Sequence, residues 1–253
     1  MSAVKEMPLS AAENPSQNQD REPRVLTLLA IVTILAVAFG LVMALFYAGT
    51  DIDQGNIQRI FYLHMPSFFG AFSAFSASVV GGVMYLRTRK VKWDTLALAG
   101  VEVGLALSLV NLITGAIWAR PIWNTWWTWD ARLTSAAVMV LTYAAYLMLR
   151  NGIENGETRR RFASIYSILA IATVILTLMI IRIVPETIHP VIIGPSPQNA
   201  EGTFEATSGV VLALLPNLLI WFTLVPFTLV WHRIRLQNVV ERVESLKAEL
   251  LSQ

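Results

Sequence analysis

Residues 25–48 read VLTLLAIVTILAVAFGLVMALFYA, 24 positions without a charged side chain. At 1.5 Å per residue a helix of that length covers about 36 Å, enough to cross a hydrocarbon core of roughly 30 Å. It is too long for the apolar region of a cleaved signal peptide. The expectation is therefore a retained spanning helix behind a polar, disordered tail at 1–24. Five further apolar runs, near 60–86, 95–117, 133–149, 162–184 and 207–230, are of similar kind. Across 253 residues the chain is 55% hydrophobic and 14% charged, with a mean hydropathy of +0.56. A soluble domain carries about 25% charged residues, so that class is excluded. Nothing reads as the weakly alternating ten-residue segments of a barrel, and lipid-embedded backbone must satisfy its own hydrogen bonds. The fold class expected is an all-α polytopic membrane protein with six transmembrane helices, one domain over 25–230. Residues 231–253 follow as a cytoplasmic amphipathic helix. Cysteine is absent, which excludes disulfides and thiolate metal sites.

Charge sets the orientation. Of 19 Lys and Arg, 15 fall in the N-terminal tail, between helices 2 and 3, between helices 4 and 5, and in the C-terminal tail. Only Arg59, Arg120, Arg132 and Arg182 lie at the alternate ends. The positive-inside rule then makes both termini cytoplasmic and turns 49–59, 118–132 and 185–206 to the other compartment.

One of those outer segments is unusual. WARPIWNTWWTWDARLTS, residues 118–135, holds Trp118, Trp123, Trp126, Trp127 and Trp129, five of the chain's eight tryptophans, bracketed by Arg120 and Arg132. Interfacial tryptophan is common at both membrane surfaces, and Trp93 and Trp231 need no other explanation. A belt, however, is spread around a perimeter rather than stacked in one connection. If the segment is helical, Trp123, Trp126, Trp127 and Asp130 share one face, a flat apolar wall with an acid at its edge. Each indole removes 150–250 Å² from water on burial, about 4–6 kcal/mol as an upper bound. The arginines suit carboxylates on a ligand, which guanidinium pairs bidentately; lipid headgroups, or Asp130 itself, are the alternative partners. Arg182 is a further candidate.

Two of three histidines share the outer side with this wall: His64, one turn inside helix 2, and His189, in the third outer segment, whereas His232 lies at the cytoplasmic end of helix 6. A lone histidine near a helix end is more often a packing residue than a ligand. Zinc asks for three or four protein ligands, whereas a porphyrin supplies four nitrogens and leaves two axial positions. Two imidazoles suffice for haem. Asp51, Asp53, Glu186, Glu201 and Glu205 lie on the same side, so a His and carboxylate metal site stays open, although nothing sets them at fixed ligand spacing.

The residues WNTWWTWDARLTS resemble the tryptophan-rich WWD signature of the cytochrome c assembly family of haem-handling membrane proteins, and QGNIQRIFYLHMP at 54–66 resembles that family's first outer histidine stretch. Six spans with one histidine on each side of the signature look like its CcmC branch. The resemblance covers roughly 25–230. It implies a multi-pass protein of the bacterial cytoplasmic membrane that holds haem b non-covalently and transiently, with His64 and His189 as axial ligands. The segment of Trp118, Trp123, Trp126, Trp127, Trp129, Asp130, Arg120 and Arg132 would be the platform. It further implies presentation to a periplasmic haem chaperone (CcmE-type) for c-type cytochrome maturation, beside ABC transporter subunits and a small single-span protein. No catalytic turnover and no nucleic-acid partner are implied. Two departures stand out: Asn124 occupies a position where the family usually has glycine, so the local turn is expected to differ, and RIVPETIHPVIIGPSP around His189 lacks the aromatics expected there.

Other features carry separate expectations. Gly70, Ala74, Ser78 and Gly82 form a small-residue stripe for close helix packing, and Pro66 is placed to kink the helix beside His64. Within helix 3 lie Asn111 and Glu102, the latter expected to pair with a neighbouring helix, with a proton or haem-path role as the alternative. The segment 185–206, with Pro185, Pro190, Pro195 and Pro197, reads as an acidic lid or docking loop. Leu236, Val239, Val243, Leu246 and Leu250 form a seam of about two heptads, too short to stand as an independent coiled coil, and the helix bearing it is expected to dock on a partner subunit or the membrane surface. Three functional classes remain: a haem-binding assembly factor, a transporter moving haem across the bilayer, and a structural anchor whose tryptophans form a belt. Few ionisable residues line the spans, which disfavours the second.

Overall fold

The computed structural model describes residues 23–184, 187–189 and 207–251. Among them six helices are long and apolar enough to cross a membrane. They are α1 (Arg24–Tyr47), α2 (Asn56–Thr88), α3 (Val91–Trp123), α4 (Ala131–Gly152), α5 (Gly156–Ile183) and α6 (Ser208–Leu251). The six expected spans are therefore present. The expected lid at 185–206, apart from 187–189, and nearly all of the expected tail at 1–24 lie outside the described residues.

Several boundaries differ from the sequence reading; α5, for one, starts at Gly156 instead of near 162. α3 continues through Trp118 to Trp123 instead of ending near 117, and α6 runs without a break past 230 to Leu251, so the amphipathic stretch is an extension of the sixth span. At 44 residues α6 is about 66 Å long. Leu236, Val243, Leu246 and Leu250 on that extension are exposed.

The bundle packs around α2. It lies against α3, α5 and α6, while α4 pairs with α5 and α1 rests mainly on α6. The small-residue stripe explains these approaches. A Cβ on Gly70 would sit 2.7 Å from the Trp221 carbonyl oxygen of α6, and one on Gly82 would sit 3.0 Å from the Ser164 carbonyl oxygen of α5. Between them, the Ala74 carbonyl lies where a Cβ on Gly100 of α3 would fall, 2.6 Å away. Without a hydrophobic drive between helices in lipid, such close van der Waals contact is the main adhesive. The centre of the bundle is filled by Phe68, Phe75, Met139, Tyr143, Tyr146 and Val174. The Phe75 and Tyr143 rings stack at 3.6 Å.

Polar contacts fix helix pairs inside this apolar frame. Thr33 of α1 and Thr228 of α6 share a hydrogen bond of 2.8 Å, and the Asn217 amide donates to the Gly40 carbonyl at 3.0 Å. Glu102, the acid of α3, pairs with Arg233 of α6, whose Nη2 donates to Oε1 at 3.0 Å. At the same end Arg150 of α4 grips Asp94 of α3 bidentately at 2.7 and 2.6 Å.

Candidate functional site

At the other end, the tryptophan end, α2, α3, α4 and α5 converge on a cavity of about 100 Å³. His64, His189, Trp118, Trp123, Trp126, Trp127 and Arg132 all line it. Two histidines from distant parts of the chain thus face one space.

His64 is set by α3. Its Nδ1 lies 3.0 Å from the Asn111 carbonyl oxygen, which can only accept, and 3.3 Å from the Asn111 amide nitrogen, whose shorter bond goes elsewhere; the closer contact assigns the proton to Nδ1. The Asn111 side-chain amide donates in turn to the His64 carbonyl at 2.7 Å. Gly115 makes room for the ring, since a Cβ there would fall 2.8 Å from the imidazole Cε1. With Nδ1 protonated, Nε2 bears the lone pair.

His189 is set by the start of α4. The Asp130 carboxylate accepts from the Leu133 N–H at 3.0 Å, capping the helix. Its other oxygen accepts from His189 Nδ1 at 2.6 Å and from the Thr187 hydroxyl. Burial alone would raise the Asp130 pKa, but the hydrogen bond and charge of His189, with Thr187 and the Leu133 N–H, outweigh it and hold the carboxyl below its ordinary value. An ionised acceptor again fixes the proton on Nδ1 and leaves Nε2 as the donor to a metal. Among the described residues neither Nε2 has a hydrogen-bond partner. The Trp123 ring meets the His189 ring edge-on at 4.7 Å.

The wall is not one helical face. Asn124 takes a left-handed conformation (φ 54°, ψ 21°) that ends α3, and the backbone stays non-helical until α4 begins at Ala131. Helical spacing therefore does not bring Trp123, Trp126, Trp127 and Asp130 together; a sharp chain reversal does. Asparagine tolerates that conformation better than any residue but glycine, so the departure at 124 keeps a turn that glycine would also make. Arg120 donates to the Asn124 carbonyl and side-chain oxygens at 2.5 and 2.6 Å, closing the turn, and does not line the cavity. Trp129 is 76% exposed, packs edge-on against Trp127 and also lies off the cavity. Trp126 is 58% exposed at its rim. Neither Arg182 nor His232 lines it.

Trp118 is held from the first outer turn. The Asp51 carboxylate accepts from the Asp53 and Gln54 N–H groups, and this turn delivers the buried Gln54, whose Oε1 accepts from Trp118 Nε1 at 2.9 Å. By contrast Trp123 Nε1 and Trp127 Nε1 are buried without a hydrogen-bond partner among the described residues. Buried donors are ordinarily satisfied, so these two suit acceptor oxygens on a ligand. Among the described residues no group of three or more His, Asp or Glu gathers to hold a bare metal ion. Glu186, Glu201 and Glu205 lie outside them.

Gln54, Asn111, Gly115 and Thr187 had no place in the sequence reading of the site. One signal was available: Asn111, Gly115 and Trp118 follow at i, i+4 and i+7, a single helix face that is polar, open and aromatic in turn.

Comparison with known proteins gives the family. Residues 9–249 match the family model described as CcmC, heme exporter protein C. Among relatives of that name, the protein of Rhodobacter capsulatus is 32% identical over 145 residues, 57% of this chain and 60% of the relative. Those of Haemophilus influenzae and Escherichia coli K12 are each 31% identical, over 149 and 144 residues, 59% and 56% of this chain and 59% and 58% of the relatives. The matches thus span about three fifths of the relatives' length. With six membrane-spanning helices and a match over nearly its whole length, the chain belongs to the heme exporter protein C family.

Proposed function

We propose that this chain holds haem at the tryptophan end of its bundle, with His64 and His189 on the iron, and presents it there to a haem chaperone for c-type cytochrome maturation. The observation that carries the reading is the pair of histidines lining one cavity, each with Nδ1 committed to an oxygen acceptor and Nε2 without a hydrogen-bond partner among the described residues. Haem iron within its porphyrin offers two axial positions. Arg132 and the Trp123 and Trp127 N–H groups, unpartnered among the described residues, suit the propionates, and the indole faces suit the macrocycle. The positive-inside distribution supports a periplasmic position for this end. ABC transporter subunits and a small single-span protein are the partners that the family suggests.

The cavity of about 100 Å³ is smaller than the roughly 300–1,000 Å³ of an ordinary cofactor pocket. A porphyrin enters only if the wall parts. Residues 125–129, between the cap of α3 at Asn124 and the cap of α4 at Asp130, can yield without disturbing either helix end, and a site that must open suits a cargo taken up and handed on.

The second reading is a permease carrying haem across the bilayer. Against it stand the filled centre of the bundle, where Phe75 stacks on Tyr143, and the commitment of Glu102 to Arg233 towards the opposite end. The two separate by trapping. In cells lacking the chaperone, haem should accumulate on this chain, whereas sealed vesicles containing this chain alone should take up none. Haem uptake by such vesicles would favour the permease.

A further inference from the structure

A second cavity, about 190 Å³, opens at the opposite end of the bundle, where α3, α4, α5 and α6 meet. Arg150, Arg159 and Arg160 face Asp94 and Glu241 across it. Three guanidiniums thus meet two carboxylates, and the carboxylates are already engaged. Asp94 is held through both oxygens by Arg150. Glu241 accepts from the Gln237 amide at 2.8 Å, and Gln237 accepts from Arg233 at 3.1 Å. Neither acid pairs with Arg159 or Arg160. Instead the Nε atoms of both arginines are buried with no hydrogen-bond partner among the described residues.

An arginine cannot shed its charge and carries five donors in a planar fork, and a buried N–H without an acceptor is destabilising. Both arginines line the one cavity, and together they suit an anion with several oxygens. The Arg160 guanidinium folds back over the first turn of α5, its Nη1 3.5 Å from where a Cβ on Gly156 would lie. It thereby sits beside a helix N-terminus, whose dipole also favours negative charge.

We propose that this cavity binds a phosphate group through Arg159 and Arg160, and that the phosphate is the headgroup of an anionic phospholipid. A phosphate offers enough oxygens for two bidentate forks. The cavity lies at the ends of three spanning helices, α3, α4 and α5, against the extension of α6, and Trp93, a residue type frequent at membrane interfaces, is next to its Asp94. Val91 and Leu98 on its rim give a glycerol backbone an apolar surface. A soluble phosphate ester would use the same forks, and the experiment distinguishes the sources.

The test is native mass spectrometry of the detergent-purified full chain titrated with phosphatidylglycerol, with phosphatidylcholine, and with inorganic phosphate. The wild type should retain phosphatidylglycerol at least tenfold better than phosphatidylcholine, and R159Q/R160Q should lose that preference. R159K/R160K, which keeps the charges without the forks, should fall between them. The single variants carry the same comparison if the double variant does not purify. Haem absorbance at the His64 and His189 end should be unchanged in all. Selective retention of inorganic phosphate alone would keep the phosphate chemistry and overturn the lipid source. No preference in the wild type for either phosphate probe, or an undiminished preference in R159Q/R160Q, would overturn the site.

Discussion

Substituting Gly115 by alanine tests whether His64 is held to ligate. The added Cβ would lie 2.8 Å from the imidazole Cε1 and 3.3 Å from Nδ1. Carbon atoms settle at about 3.5–4.0 Å, so the ring must retreat by about 0.7 Å. It is not free to do so, because Nδ1 is anchored to the Asn111 carbonyl at 3.0 Å and lies 3.3 Å from the Thr114 hydroxyl. A ligating constellation tolerates displacement of about 0.5 Å. The expected result is an inserted, folded protein whose haem retention falls at least tenfold, about 1.4 kcal/mol, with partial loss of the low-spin spectrum. Overpacking should also cost about 1–3 kcal/mol of stability. The assay is haem titration of the purified variant by absorbance, beside Gly152→Ala, where the added Cβ meets nothing within 4 Å. Wild-type affinity and spectrum in Gly115→Ala would refute the positioning of His64.

Three further outcomes follow from named contacts. Because the Asp130 carboxyl is held below its ordinary value near about 3.9, its stabilisation is complete above that pH and is lost as the pH falls through the lower folded value; Asp130→Asn should flatten that acid limb of the unfolding profile, and identical profiles would contradict an ionised tie. Trp126→Ala and Trp127→Ala should weaken haem retention more than Trp93→Ala, measured as haem retained through purification; equal losses would return the tryptophans to a general belt. Asp94→Ala leaves Arg150 without its bidentate partner in a buried setting and should cost about 3–5 kcal/mol of stability, read from unfolding in mixed micelles.

The spans were legible because hydropathy over some 20 residues is set by solvent alone, whatever the helices later touch. Their ends were less so. Trp118–Trp123 carries Arg120 and Pro121, which lower its hydropathy, yet α3 continues through it until Asn124 takes a left-handed turn. The extension of α6 past 230 turns polar without any residue that stops a helix. At the site, the histidines and tryptophans announced themselves by type and by side of the membrane. What orients them did not: Asn111, Gly115 and Gln54 act across helices distant in sequence, and a glycine has no side chain to draw notice. The arginines divided for the same reason. Arg132 faces the cavity, whereas Arg120 is consumed by the turn that Asn124 makes.

The most direct measurement is the absorption spectrum of the detergent-purified chain, oxidised and reduced, beside His64→Ala and His189→Ala. The wild type should show a low-spin Soret and α-band signature, lost in each variant while the protein still inserts and purifies as a folded bundle. An unchanged spectrum in either variant would take that imidazole off the iron, and a wild-type chain with no Soret absorbance after haem loading would contradict the site altogether.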